Sequence, residues 1–440
     1  MKEEFLHFIW KYGLYDASRL KDSNGNNIIV IQPGEYNRDA GPDFFNSRVR
    51  IGDTEWAGNV EIHIKSSHFE THGHHRDHAF DNVILHVVSV NDKRTRNARG
   101  REIPTLEISC DEAVSEKYTE LLSNPATIAC ENHLESIDKF FINQWLQALM
   151  VERLESKCSY AGDIFKETGN DWDETFYRLL SRYFGFRVNT DPFELMARAL
   201  PFRLIRKHAD NPFQVEALLF GTAGMLDEGL FRNTAKDSYY NDLAREFRML
   251  KAKYSISPVH GWLWKFGRLR PVNFPTVRIS QLAAMLGTAG GLFSRVISTG
   301  SITELRKLFE VSASEYWADH YIFGKKSPGK SRATGDASVD LLLINAVIPV
   351  IFFYGRVRGE PALRDRALDL LDAIDAENNA IIRDWITAGI DPVSAFDSQA
   401  LLQLRLEYCR KRRCLDCRIG TRIITCGWKL KLPEQTILEP

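Results

Sequence analysis

After a short N-terminal helix, apolar positions recur every second residue up to about residue 110, and every three to four residues from about 135 onward. Phe5, Phe8, Ile9 and Tyr12 share one side of a helix over residues 1–15. The turn Asn24-Gly25-Asn26 then introduces strands near 28–32, 43–51, 56–66, 82–90 and 104–109. A histidine-rich connector, 70–80, separates the third strand from the fourth. The predicted order is helix, three strands, connector, strand: an α+β domain over residues 1–125. Beyond it, Ile142, Trp145, Leu146, Leu149, Met150 and Leu154 have helical spacing, and similar stripes recur to the end. Pro and Gly at 212, 271, 275, 290–291 and 328–329 divide this region into several helices. Residues 126–440 are therefore predicted to be a mainly α-helical domain. No fixed-period repeat supports a solenoid.

Composition changes this picture little. With 440 residues, 44% of them hydrophobic and 26% charged, the chain is a folded protein of more than one domain. A formal charge of −1 leaves room for a local basic patch and excludes a uniformly basic surface. The opening MKEEFLHFIWKYG lacks the sustained apolar run of a signal peptide. The apolar run Leu341–Tyr354 contains Asn345 and Pro349 and is shorter than the about 20 residues of a bilayer span, so it reads as a buried helix. No membrane contact is expected, and a cytoplasmic location is.

Chemistry concentrates in the first domain. Alternation along Val60-Glu61-Ile62-His63-Ile64-Lys65 puts Glu61, His63 and Lys65 on one strand face. With Asp43 after Gly41-Pro42, two carboxylates from neighbouring strands suit a hard divalent ion such as Mg²⁺ or Mn²⁺. A nearby His or Lys can handle the attacking water. The arrangement resembles the PD-(D/E)xK nuclease superfamily, whose core is helix, three strands, helix, strand. Pro42-Asp43 matches its first motif element, and Glu61-Ile62-His63 matches the second except that His replaces Lys. The resemblance implies a restriction-endonuclease-like fold, a metal held by Asp43 and Glu61, water activated by His63 or Lys65, and a further carboxylate from Glu3 or Glu4. The chain also resembles a bacterial family of unknown function, through AGPDFFNSRVRIG, WAGNVEIHIKSS, DNVILHVV and YCRKRRCLDCRIG.

Seven of the twelve histidines lie between residues 63 and 86. His72, His74, His75, Asp77 and His78 offer N and O ligands for Zn²⁺, the alternative being solvated surface; His86, in an apolar strand, suits either the site or the core. Near the C-terminus Cys409, Cys414 and Cys417, with Cys426 beyond, can close on zinc or an iron–sulfur cluster. Residues 405–431 carry nine Lys or Arg against Glu407 and Asp416, among them Arg410, Lys411, Arg412 and Arg413. A second basic-aromatic stretch interleaves Lys265, Arg268, Arg270 and Arg278 with Trp262, Trp264 and Phe266. Cations and rings together suit single-stranded nucleic acid.

The string Gly324–Ser331 satisfies the Walker A pattern, but polar-aromatic sequence precedes it and a poor helix start follows, so ATP is not expected. Three functions remain: a Mg/Mn-dependent nuclease at Asp43 and Glu61, a non-catalytic module binding nucleic acid or protein, and a zinc hydrolase on the histidine loop 72–78.

Overall fold

The computed structural model describes residues 2–227, 237–287, 291–329 and 332–427. They form two compact units, one of residues 2–145 with 387–389 and 404–427, the other of the described residues of 146–386 with 390–403. An α+β region is thus followed by a mostly helical one, as the spacing of apolar residues predicts. The cysteine-rich basic segment differs from expectation. Its described residues belong to the first unit, not to the helical one.

The first unit opens with α1, Glu3–Tyr12, which buries Phe5, Leu6, Phe8, Ile9 and Trp10 and ends at Gly13 in the left-handed conformation. A mixed sheet follows: β1 Ile28–Gln32, β2 Glu35–Tyr36, β3 Phe44–Ile51, β4 Thr54–Lys65, β5 Val83–Val90 and β6 Thr105–Glu107. Its order is β1-β3-β4-β5-β6, with β2 also on β3. The β3–β4 pair is antiparallel, whereas β4–β5 and β5–β6 are parallel. A parallel pair requires a crossover rather than a hairpin, and residues 66–82 supply it through the one-turn helix α2, His68–Thr71, and two 3₁₀ turns, His74–Arg76 and His78–Phe80. Asp92 holds the start of this crossover, accepting from the Ser66 hydroxyl at 3.0 Å and from the Ser67 amide and hydroxyl at 2.9 Å. Those donors pull its pKa down to about 2. Beneath the connector Phe69, Phe80, Val83 and Ile103 form a small core. The helix α3, Glu112–Ser123, completes the N-terminal part; its Asp111 cap accepts from the Ala113 amide.

Strand β4 is covered on both faces. Val60 and Ile62 are buried as alternation predicts, and so are Glu61 and His63 on the opposite face, at 4% and 1% exposure. A strand in that position ordinarily reads as a continuous apolar run.

In the second unit, helix follows helix from α4, Lys139–Glu167, which starts in the first unit, to Ala395–Gln403. The apolar run lies in a continuous helical stretch, Asp336–Arg358, whose most apolar window is 67% buried within the fold. A π segment, Leu343–Val347, interrupts its ladder. The half-buried Lys157 side chain lies at this segment, its Nζ donating to the Ile344 carbonyl at 3.2 Å and to Asn345 Oδ1 and Gln399 Oε1 at 3.0 Å.

Helix α1 is fixed to the sheet through one carbonyl. Pro33 O accepts from the Trp10 indole at 3.0 Å and from the Ser47 hydroxyl at 2.7 Å. The neighbouring Gly34 has φ +95°, and a Cβ there would fall 2.5 Å from the Phe45 carbonyl oxygen. Gly34→Ala is expected to cost about 1–3 kcal/mol, seen as a lower urea midpoint with an unchanged slope.

Candidate metal centre

Four donor atoms from two elements meet on the buried polar face of β4. From the strand come Glu61 Oε1 and His63 Nε2, 3.6 Å apart. From the crossover come His72, whose Nδ1 lies 3.1 Å from His63 Nε2, and His74, whose Nε2 lies 3.3 Å from Glu61 Oε1. The donor nitrogens of the three histidines all lie within 4.8 Å of one another. A tetrahedral ion with bonds of about 2.0–2.1 Å sets its ligand atoms roughly 3.4 Å apart; the three imidazoles are gathered near enough to share one, with the Glu61 carboxylate in contact with His63 and His74 at their edge. His72 is exposed and His74 half-buried, which leaves this side open to solvent.

The supporting groups also fit. His63 Nδ1 lies 3.0 Å from His86 Nε2, and His86 Nδ1 lies 3.4 Å from the Thr95 hydroxyl. If His63 gives Nε2 to an ion, its Nδ1–H donates to His86, whose own Nδ1–H then donates to Thr95. That chain fixes tautomer and ring angle, as ligating histidines ordinarily require. Phe69 closes the bottom, with its ring centroid 5.2 Å from that of His86, and Phe80 stacks on His74 at 3.9 Å.

Burial dominates the electrostatics of these groups. Burial, then the charge of Asp43, pushes the Glu61 pKa well above the ordinary carboxylate range; a hydrogen bond from the Asp43 amide opposes this and the charge of Glu3 adds to it. Burial and the surrounding imidazoles, His86 first, drive His63 down to about 2, and burial takes His86 to about 3. Burial thus favours the neutral forms of Glu61, His63 and His86.

Asp43 sits at the entry to β3 and is locked to β4 in both directions. Its amide donates to Glu61 Oε2 at 3.2 Å, and its Oδ2 accepts from the Ile62 amide at 2.8 Å. The same Oδ2 faces His7 Nε2 of α1 at 3.4 Å, and His7 Nδ1 lies 3.3 Å from the Tyr36 hydroxyl. His7 and Tyr36 in turn line a cleft of about 550 Å³. Its walls carry Lys2, Lys11, Arg38, Lys411, Arg412 and Arg413 against Glu4 and Asp416, with Phe8, Tyr12 and Tyr118 between them.

The sequence candidates divide accordingly. Asp43, Glu61 and His63 come together. Lys65 does not: it lies at the exposed end of β4, opposite Val90, and no interaction joins it to the other three. Of the histidine loop only His72 and His74 join, because Asp77 caps a 3₁₀ turn through the Ala79 amide and His78 pairs with Asp81. Cys426 is exposed, apart from the buried or half-buried Cys409, Cys414 and Cys417. Arg412 is tied to the carbonyls of Asn124 and Ala126, so its guanidinium serves the fold. In the second unit Arg268 and Arg270 are exposed with Trp262, whereas Trp264 is buried and Arg278 is stacked over Phe186 and bonded to Asn273, Gln281 and Ser338. That stretch is part core, not a continuous basic-aromatic surface. Gly324 lies in a β-hairpin between His320–Ile322 and Lys325–Lys326, not in a strand-to-helix loop; Lys330 and Ser331 lie outside the described residues, as do Lys429 and Lys431. His7 was missed. Its only sequence signal is its place on the buried side of α1.

Fold and site define an α+β protein with a histidine–carboxylate cluster on a central strand. The chain belongs to the family described as Protein of unknown function (DUF2851), whose profile matches residues 3–380. No curated protein and no solved structure matches it.

The pKa shifts give a signed expectation. Glu61 holds its proton more tightly folded than unfolded, so its contribution to ion-free stability is present at low pH and lost as pH rises past the ordinary carboxylate range. His63 acts oppositely: stability is lost as pH falls from 6.5 toward about 2. A divalent ion must displace the Glu61 proton, so binding at neutral pH is expected to release about one proton and to tighten about tenfold per pH unit. Calorimetry in buffers of different ionisation enthalpy measures this, and Glu61→Gln should abolish the release.

Proposed function

We propose that the first unit is a metal-dependent hydrolase of phosphodiester bonds in nucleic acid, with its ion held by Glu61, His63, His72 and His74. The observation that carries this reading is the gathering of His63, His72 and His74 within 4.8 Å of one another, with Glu61 in contact with two of them. Three imidazoles favour a borderline ion such as Zn²⁺ or Mn²⁺ over Mg²⁺, which prefers an octahedron of oxygens. When bound, such an ion supplies a Lewis acid for the phosphoryl oxygen and a water acidic enough to attack near neutral pH.

The chain's own residues do the rest. His86 and Thr95 orient His63, and the reciprocal bonds between Asp43 and β4 hold Glu61 in place. Asp43 and His7 stand between the cluster and the cleft, where a proton can be held or passed. The cleft's cations suit a polyanionic strand and its aromatic rings suit unstacked bases, which favours single-stranded nucleic acid. The likeness of Pro42-Asp43 and Glu61-Ile62-His63 to the PD-(D/E)xK motif supports the same reaction class, with His63 as a ligand where that motif has lysine.

The test is cleavage of single- and double-stranded DNA and RNA with Mn²⁺, Zn²⁺ or Mg²⁺. Activity on single strands is expected to require ion and to fall by at least about 100-fold in Glu61→Ala and His72→Ala. His86→Ala should lose about 10–100-fold through misoriented His63, and Lys65→Ala should be unaffected. Cleavage without added or bound ion, or cleavage indifferent to Glu61, would overturn the assignment.

A further inference from the structure

Four thiols from distant parts of the sequence gather in the first unit. Cys409 ends the π-helical turn Leu404–Cys409, and Cys414 and Cys417 lie in the loop that leads to the helix Arg418–Ile424. The fourth is Cys130. It is brought there by two arginines of the C-terminal segment: Arg405 donates to the Thr127 carbonyl at 2.6 Å, and Arg412 to the carbonyls of Asn124 at 2.6 Å and Ala126 at 3.3 Å. Asn124 continues the chain of bonds to the Ala129 carbonyl at 2.9 Å. Arg412 keeps φ at +52° to do this, a conformation that a non-glycine residue adopts only when its surroundings impose it.

All four sulfurs are within electrostatic reach of one another. Burial and then Cys409, Cys417 and Cys414 push the Cys130 thiol far up, while burial and the neighbouring thiols take Cys409 to about 12 and Cys414 to about 11. Burial raises the Cys417 thiol as well, opposed in part by the backbone amides of Gly420 and Ile419 that point at it. The loop closes on its helix because residue 420 has no side chain; a Cβ there would lie 2.2 Å from the Cys414 carbonyl oxygen. None of the four is in a disulfide.

The spacing selects the kind of centre. One zinc with Zn–S bonds of about 2.3 Å draws its four sulfurs to about 3.8 Å from one another. Among the described residues, the donor group gathered within 4.8 Å is that of His63, His72 and His74. The thiols stand wider than a single zinc requires. A cluster that interposes several irons and sulfides between its cysteines spans such a gap. We propose that Cys130, Cys409, Cys414 and Cys417 bind an iron–sulfur cluster, with Cys130 rather than Cys426 as the fourth ligand. The site is independent of the histidine–carboxylate centre.

The experiment uses the full chain, purified without oxygen and reconstituted with ferrous iron and sulfide. Iron, acid-labile sulfide and zinc are quantified alongside the visible charge-transfer absorption. Iron and sulfide in equal amounts, several per chain, are expected, falling more than tenfold in Cys130→Ser and unchanged in Cys426→Ser. Thiol alkylation of the wild-type protein, read by mass spectrometry before and after the cluster is stripped, assigns the ligands without relying on a variant that folds. Cys130 should be protected before stripping and labelled after it, and Cys426 labelled in both. Stoichiometric zinc without iron, no bound metal, or equal labelling of Cys130 in the two states would overturn the proposal.

Discussion

A carboxyl group and an imidazole buried side by side on the central strand set the terms for much of the first unit. Leaving either charged and unpaired in that position is expensive. Glu61 and His63 meet the demand by being neutral and by meeting polar partners on every side: the Asp43 amide, three further histidines and the Thr95 hydroxyl behind them. The crossover between β4 and β5 can therefore be polar where a parallel sheet ordinarily calls for an apolar cover. Two apolar residues would serve packing as well or better. The titratable pair is held there by these polar partners rather than by packing.

Helix α1 ties that centre to the cleft. One helix supplies Glu3, whose charge bears on Glu61; His7, which faces Asp43; and Phe8, Lys11 and Tyr12, which line the cleft. Because Trp10 pins it to the Pro33 carbonyl, these contacts share one rigid register. Tyr12, Tyr36, Tyr118 and Phe8 offer flat surfaces while Lys11, Arg38 and Lys411 offer charge, so the cleft presents rings and cations side by side.

The strands were legible because their alternation is strong. The predicted 28–32, 43–51, 56–66, 82–90 and 104–109 differ by no more than two residues at any end from the observed elements. Asp43, Glu61 and His63 were legible from type and spacing alone. Lys65 shares their alternation but lies past the end of the cover, and periodicity carries no information about where a cover stops. His72 and His74 stood out as histidines, but their partners were expected within the same loop; that they instead complete a strand site depends on the crossover's path. Cys130 gave no local signal, since its association with Cys409 rests on arginine–carbonyl bonds between segments far apart in the sequence. Cys426 looked equivalent to its neighbours for the complementary reason: proximity in sequence does not bring it to them in space.

Residues 404–427 complete the unit that residues 1–145 begin. A ribosome delivers the second of these parts only after the entire helical region that lies between them in the sequence. Until Arg405 and Arg412 emerge, the carbonyls of Asn124, Ala126 and Thr127 lack their donors and Cys130 lacks its companions. One wall of the cleft is likewise missing until Lys411 and Arg413 arrive. Of the two units, the one begun first is thus finished second, and the cleft beside the centre on β4 gains its full set of charges only once the segment 404–427 has been made.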